Sequence, residues 1–184
     1  MEKVCLEIQN LTKRYDNSSF CLDHLNLQLP YGSVMGLIGE NGAGKTTAIK
    51  LILNLIRRDE GSVKLFGLDN IRDEEAIKQQ IGVVFDENHF HEIFTPTDIA
   101  KIMRNLYQKW DDNLFQQYLR QFQLPVNKTV KTYSRGMKVK LSIAAALAHH
   151  PKLLLLDEPT SGLDPGERMR FRNLLSEFGR NRNV

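Results

Sequence analysis

Cysteine is scarce in this chain, and no apolar run in it is long. Its 184 residues include two cysteines, Cys5 and Cys21, which form no Cys-x-x-Cys pair. That excludes the disulfide framework of a small secreted domain and makes a reduced, intracellular setting the default. The longest apolar stretches, Ile143 to Ala148 and Leu153 to Leu156, fall far short of the roughly 20 residues that cross a bilayer. The opening residues, Met-Glu-Lys-Val-Cys-Leu-Glu, lack an apolar signal core, so the expectation is a chain that neither spans a membrane nor leaves the cell. A net charge of only +3 gives no reason to expect nucleic acid as a partner. Internal repeats and low-complexity tracts are also absent. The remainder, 41% hydrophobic and 26% charged, has the composition of a globular protein and excludes a disordered or fibrous one. The length suits one domain, or a core with one inserted subdomain.

Val4, Leu6 and Ile8, then Leu25, Leu27 and Leu29, alternate with polar or small neighbours as half-buried strands do. Pro30 and Gly32 follow as a turn. Val34 to Ile38 is a continuous apolar run, which predicts a fully buried strand. A glycine-rich stretch and helical character from Ala48 to Leu55 come next, giving the order strand, loop, helix. Val63 to Phe66, Ile81 to Phe85 and Leu153 to Leu156 read as further short strands. Thr95-Pro96-Thr97-Asp98 announces a helix, with Thr95 as N-cap and Pro96 in its first turn. Two helical stripes follow, Ile99 to Tyr107 and Leu114 to Phe122. Residues 87–135 therefore read as a helical insertion in an α/β core, with Phe90, Phe94, Trp110 and Phe122 as packing residues. Phe171, Leu174, Leu175 and Phe178 mark a last amphipathic helix.

The glycine-rich stretch is Gly39, Glu40, Asn41, Gly42, Ala43, Gly44, Lys45, Thr46 and Thr47. It satisfies the phosphate-loop pattern G-x-x-x-x-G-K-T in full and does not match the dinucleotide fingerprint G-x-G-x-x-G. Glycines let backbone N–H groups turn inward around a polyphosphate, and the following helix offers its positive end to the anion. Lys45 then serves the β- and γ-phosphates as a point charge, and the Thr46 hydroxyl is placed for Mg²⁺. Those features predict a nucleoside-triphosphate site. Its second half is the leucine strand that ends at Asp157-Glu158, because open α/β sheets place ligands at such strand ends. Asp157 would bind Mg²⁺ through water, and Glu158 could act as general base on the attacking water.

Tyr133-Ser134-Arg135-Gly136-Met137 stands before a helix ahead of that acidic pair, and Ser161-Gly162-Leu163-Asp164 follows it. With these motifs in this order, the chain resembles the ATP-binding-cassette (ABC) ATPases over essentially its whole length. The resemblance implies a RecA-like P-loop core (1–86 and 136–184) with an N-terminal antiparallel β subdomain and a helical subdomain at 87–135. It makes Ser134, Arg135, Gly136 and Met137 the signature loop and Ser161, Gly162, Leu163 and Asp164 the D-loop. It also implies a head-to-tail dimer, homo- or heteromeric, in which the signature loop of one subunit meets the ATP of the other. The aromatic position that stacks on adenine falls on Tyr15, whose alternative is an ordinary surface tyrosine. The expected assembly is an exporter: an ATP hydrolase on the inner face of the cell membrane, peripheral to an integral-membrane permease. The alternatives are a soluble ABC-type ATPase and an ATP-binding fragment with little or no turnover.

This chain departs from the family's pattern in three places. Asp86 stands where glutamine is usual, so its Mg²⁺- and water-binding role is carried by a carboxylate. Arg135 and Met137 replace the usual glycine and glutamine. Arg135 either adds positive charge near the partner's nucleotide or faces solvent. The Ser-Arg-Gly-Met form resembles the bacterial peptide, antibiotic and drug exporters. The largest departure is a missing switch histidine. The family places it after the D-loop, whereas the last histidines here are His149 and His150. Its strand would lie between the phosphate-loop strand and the Asp157 strand, and its loss would leave backbone groups on both neighbours unpaired. The expectation is therefore a chain incomplete at its C-terminal side, with weakened stability and hydrolysis. Glu87, His89, His91 and Glu92 read as a solvated or interface loop rather than a metal site. Arg57-Arg58-Asp59-Glu60 reads as a mixed-sign turn, and His149-His150 as cations at a helix end.

Overall fold

The chain, in a computed structural model, is described at residues 3–16, 20–40, 42–85, 89–160 and 163–180. It divides into two compact units, 1–78 with 177–184 and 79–176.

In the first unit, strand alternation builds an antiparallel sheet. β1 (Val4–Arg14) pairs with β2 (Cys21–Pro30), placing Leu6 opposite Leu29 and Ile8 opposite Leu27. On the other side of β1 lies β3 (Glu60–Leu65), followed by β4 (Leu68–Asp69), so the order is β2-β1-β3-β4. Leu6, Ile8, Leu11, Val63 and Leu65 are buried, so the apolar face of each strand supplies the core. The register of β1 shifts around Asn10, whose φ of 48° is left-handed. Opposite it, a Cβ on Gly61 would stand 2.4 Å from the Asn10 carbonyl oxygen, and Gly61 has φ +86°. Only glycine fits there. Asp59, expected in a turn, has a more specific part: its carboxylate accepts from the Arg14 backbone N–H (2.7 Å) and from Lys13 Nζ (3.0 Å).

Helix α1 (Lys45–Ile52) buries Ala48, Ile49, Leu51 and Ile52, and the single-turn α2 (Glu74–Lys78) buries Ile77. The run Val34 to Ile38 is not the buried strand its composition predicts. It is irregular, with Val34 81% and Ile38 100% exposed. An all-apolar strand is buried only when sheet neighbours flank it and other layers cover both faces. Among the described residues, no strand pairs with 34–38.

In the second unit, β5 (Ile81–Val84) and β6 (Leu153–Leu156) run parallel, Ile81 beside Leu153 through Val84 beside Leu156. Helix α5 (Arg135–Leu147) buries Val139, Leu141 and all of Ile143 to Leu147. It approaches β5 so closely that a Cβ on Gly82 would lie 2.6 Å from the Ala146 carbonyl oxygen. Helix α3 (Pro96–Leu106) opens with the expected capping box: Thr95 Oγ1 accepts from Asp98 N (3.3 Å), and the Asp98 carboxylate accepts from Thr95 N (3.1 Å). The Asp111 carboxylate caps α4 (Asp112–Gln121) by accepting from Leu114 N at 3.0 Å. Ile99, Phe115, Leu119, Val130 and Leu141 form the core here, and Phe90, Phe94, Trp110 and Phe122 pack against it. Arg104 makes two bonds to the Asp112 carboxylate (2.9 and 2.8 Å), and Trp110 Nε1 donates to it as well (2.9 Å). Helix α6 spans Pro165–Arg180.

His149 and His150 do not share one exposed setting at the helix end. His149 is buried, stacked on Tyr107 with ring centroids 3.9 Å apart, and its Nε2 donates to the Ile81 carbonyl oxygen at 3.0 Å. His150 is exposed and sits 3.4 Å from Asp111 Oδ2.

Candidate nucleotide-binding site

The phosphate-loop sequence lies in the first unit. Gly44 caps α1 in the left-handed conformation, φ 91°, and Gly42 has φ 88°. A Cβ on Gly39 would come within 2.9 Å of Ala43 Cβ, so the loop closes on itself only because that position carries no side chain. The Lys45 ammonium donates to the carbonyl oxygens of Gly39 (2.7 Å) and Glu40 (2.9 Å), which draws the cation back over the loop. Among the described residues no side chain caps the N-terminus of α1, and its first turn holds no acidic residue. The positive end of the helix therefore carries no carboxylate of its own first turn against an approaching anion. Thr46 is exposed and Thr47 half-buried in that turn.

The Tyr15 and Phe20 rings stand 6.3 Å apart, and Lys13 Nζ lies 5.5 Å from the Tyr15 ring centroid. Phe20 reaches the loop itself: a Cβ on Gly44 would stand 2.7 Å from Phe20 Cζ. Tyr15, Phe20 and Gly44 are thus linked through Phe20. Sequence reasoning named Tyr15 and missed Phe20. The available signal was a second aromatic shortly after the first, ahead of a glycine loop.

In the second unit, Asp157 continues the ladder beyond β6, its N–H donating to the Val84 carbonyl oxygen at 2.8 Å, and it is buried. The next residue, Glu158, is exposed and left-handed, φ 49°, an uncommon conformation for a residue with a side chain. A hydroxyl (Thr46) and a carboxylate (Asp157) are the hard oxygen donors that Mg²⁺ takes.

Ser134 is the N-cap of α5, its Oγ accepting from Met137 N at 3.3 Å. The first turn of α5 contains no acidic residue. Arg135 is exposed, Gly136 and Met137 half-buried. The Tyr133 hydroxyl donates to the Pro125 carbonyl oxygen (2.7 Å), and burial raises its pKa above the usual tyrosine value. Leu163 is buried, and Asp164 caps α6 by accepting from Glu167 N at 2.9 Å. Lys140 of α5 is ion-paired with Glu167 of α6. The capping role of Asp164 was readable from Asp-Pro at a helix start.

Asn41, Asp86, Glu87, Ser161 and Gly162 lie outside the described residues. His89 packs edge-on to Phe85 with ring centroids 5.1 Å apart, His91 lies beside Phe94, and Glu92 pairs with Lys138 at 3.1 Å. Among the described residues, no helix is long and apolar enough to cross a membrane.

Residues 22–161 match the family described as ABC transporter. The chain is 35% identical over 181 residues to the bacitracin transport ATP-binding protein BcrA of Bacillus licheniformis, covering 97% of this chain and 59% of that one. It is 33% identical over 174 residues to the lantibiotic transport ATP-binding protein SrtF of Streptococcus pyogenes, covering 94% and 74%. A solved ATP binding subunit of an ABC transporter superposes with a TM-score of 0.86 at 26% identity, over 96% of this chain and 75% of that one.

Proposed function

The chain belongs to the ABC transporter family, and on that premise we propose that it binds and hydrolyses ATP to power a membrane exporter. The single observation that carries this reading is the phosphate cradle. It has glycines where a Cβ would collide, a helix whose first turn carries no acid, and one ammonium at its mouth. The exporter branch is supported by the two relatives named for bacitracin and lantibiotic transport.

In this reading the chain is one ATPase domain, a core of 1–86 and 136–184 with a helical subdomain at 87–135. Residues Gly39 to Thr47 hold the triphosphate, Lys45 balances its charge, and Tyr15 stacks on adenine. Thr46, Asp157 and Asp86 would hold Mg²⁺, which neutralises charge developing on the phosphates. Glu158 takes a proton from the water that attacks the γ-phosphorus, and the bond to the β-phosphate oxygen breaks to release ADP. Ser134 to Met137, at the start of α5, meet the γ-phosphate bound by a second ATPase subunit, and Ser161 to Asp164 form the D-loop at the same junction. The partners are that second subunit and an integral-membrane permease, engaged from the inner face of the membrane near Asp86 to Thr97.

Titration of nucleotide onto wild type and Lys45→Ala tests the cradle. The variant should lose tight binding, and unchanged affinity would remove the assignment. A second reading, an ATP-binding chain of low turnover, is favoured by the exposed run at Val34 to Ile38. Binding of MgATP without phosphate release would select it over the first.

A further inference from the structure

Resting on the phosphate-cradle reading, we propose that Asn70 is a positioning residue for the nucleotide site, acting from the far end of α1. Asn70 lies just after β4 and is buried. Its Nδ2 donates to two carbonyl oxygens at the C-terminal end of α1, Leu51 (2.8 Å) and Ile52 (3.1 Å). Its Oδ1 accepts from Arg58 Nη1 at 2.5 Å. Its backbone N–H donates to the Val63 carbonyl oxygen on β3 at 3.1 Å. Each of these hydrogen-bonding groups of Asn70 is occupied, and together they join the helix end to the antiparallel sheet.

The end of α1 is also held by the burial of Leu51 and Ile52, and Asn54 just beyond it donates from Nδ2 to Glu74 Oε2 at 2.6 Å. Its C-terminal cap is local: Leu55 N–H donates to the Lys50 carbonyl and Asn54 N–H to the Leu51 carbonyl, with Asn54 left-handed at φ 54°. Those backbone bonds finish the helix without reaching the sheet. Asn70 adds a polar tie from the helix end to β3, and Arg58 sets which way its amide points, because a guanidinium can only donate. Arg58 is itself held 3.7 Å from Asp69, whose carboxylate is kept below its ordinary pKa first by the backbone N–H groups of Arg72 and Ile71.

The consequence reaches the phosphates through length. Eight residues at 1.5 Å each make α1 about 12 Å long, a rigid rod over that distance. A slide or tilt at the Leu51–Ile52 end therefore moves Gly44 to Thr47 by a comparable amount. A polar amide in this place also has a cost, since a buried amide is tolerated only while its partners remain. Leucine or valine at 70 would fill the volume but leave the α1 carbonyls and the Arg58 guanidinium to be satisfied elsewhere.

The test compares inorganic pyrophosphate and ATP binding by calorimetry for wild type, Asn70→Asp and Leu65→Ala. Leu65→Ala is a core truncation on β3 that touches no bond of Asn70. Asn70→Asp keeps shape and the Arg58 contact but points an acceptor at two carbonyls. It should weaken both ligands by about tenfold or more, while folded Leu65→Ala changes affinity less than twofold. Equal losses in the two variants would make Asn70 merely structural and overturn the proposal, as would unchanged affinity in Asn70→Asp. Should Asn70→Asp fail to fold, Arg58→Met removes the amide's orienting donor and should weaken both ligands, with Arg58→Lys restoring part of the loss. No loss in Arg58→Met would also overturn it. If wild type binds neither ligand, the cradle reading itself fails and takes this proposal with it, an outcome distinct from all the others.

Discussion

Phe20 and Gly44 are in contact: a methyl group placed on Gly44 would stand 2.7 Å from the Phe20 Cζ, and Gly44 already has φ 91°. Gly44→Ala therefore meets two separate penalties. The left-handed backbone costs about 1–2 kcal/mol with a Cβ present, and the ring must also move. The double variant Gly44→Ala/Phe20→Leu relieves the second penalty and keeps the first. We expect thermal unfolding to rank wild type above the double variant, and the double variant above Gly44→Ala. A single variant as stable as wild type would contradict the contact.

The start of α3 should be an acid-sensitive part of the second unit. The Asp98 carboxyl is held below its usual pKa, first by the Thr95 hydroxyl, then by the Thr95 backbone N–H, with a further bond from Lys101. A lowered folded-state pKa gives stability that is complete above the ordinary aspartate value of about 3.9. That stability drains away as pH falls through the lower, folded-state value. Denaturant unfolding from pH 5 down to pH 2 should show a steeper loss in wild type than in Asp98→Asn. Parallel curves would mean that this carboxylate contributes no pH dependence.

What the sequence made legible follows from the range of the forces involved. The alternation of Leu6 and Ile8, the Thr95-Pro96-Thr97-Asp98 cap and the leucines of β6 depend on neighbours within a few residues, and each is found where it was read. The glycine spacing likewise located backbone that only glycine adopts, at Gly42 and Gly44. Val34 to Ile38 went wrong because hydrophobicity states a need for burial without supplying the strands that meet it. Phe20, Asn70 and the burial of His149 were invisible for a related reason: each is defined by a partner far along the chain, Gly44, Leu51 and Ile81 respectively.

Gly82 tests the packing of α5 on β5. Its Cβ would meet the Ala146 carbonyl oxygen at 2.6 Å, with Leu154 Cδ1 at 2.8 Å and Pro151 Cγ at 3.1 Å. A helix backbone cannot rotate away as a side chain can, so Gly82→Ala should force α5 outward. The expected loss is about 1–3 kcal/mol, the usual range for overpacking. Chemical denaturation measures it directly, and a loss below about 0.5 kcal/mol, the level of ordinary surface changes, would show that the helix yields freely.

Glu158 offers a separation of stability from chemistry. Its φ of 49° crowds a Cβ against the following carbonyl, at about 1–2 kcal/mol, whereas glycine there gives back only about 0.4–1 kcal/mol through the freer unfolded chain. The difference is positive, so Glu158→Gly should unfold at a higher temperature than wild type. Glu158→Ala keeps the Cβ and should show no such gain. If Glu158 is the base, both variants lose phosphate release equally, because neither can take the proton from water. Higher stability with retained turnover in Glu158→Gly would show that the residue is strained for some other purpose. Equal melting temperatures for the Gly and Ala variants would show that the left-handed turn carries no strain at all.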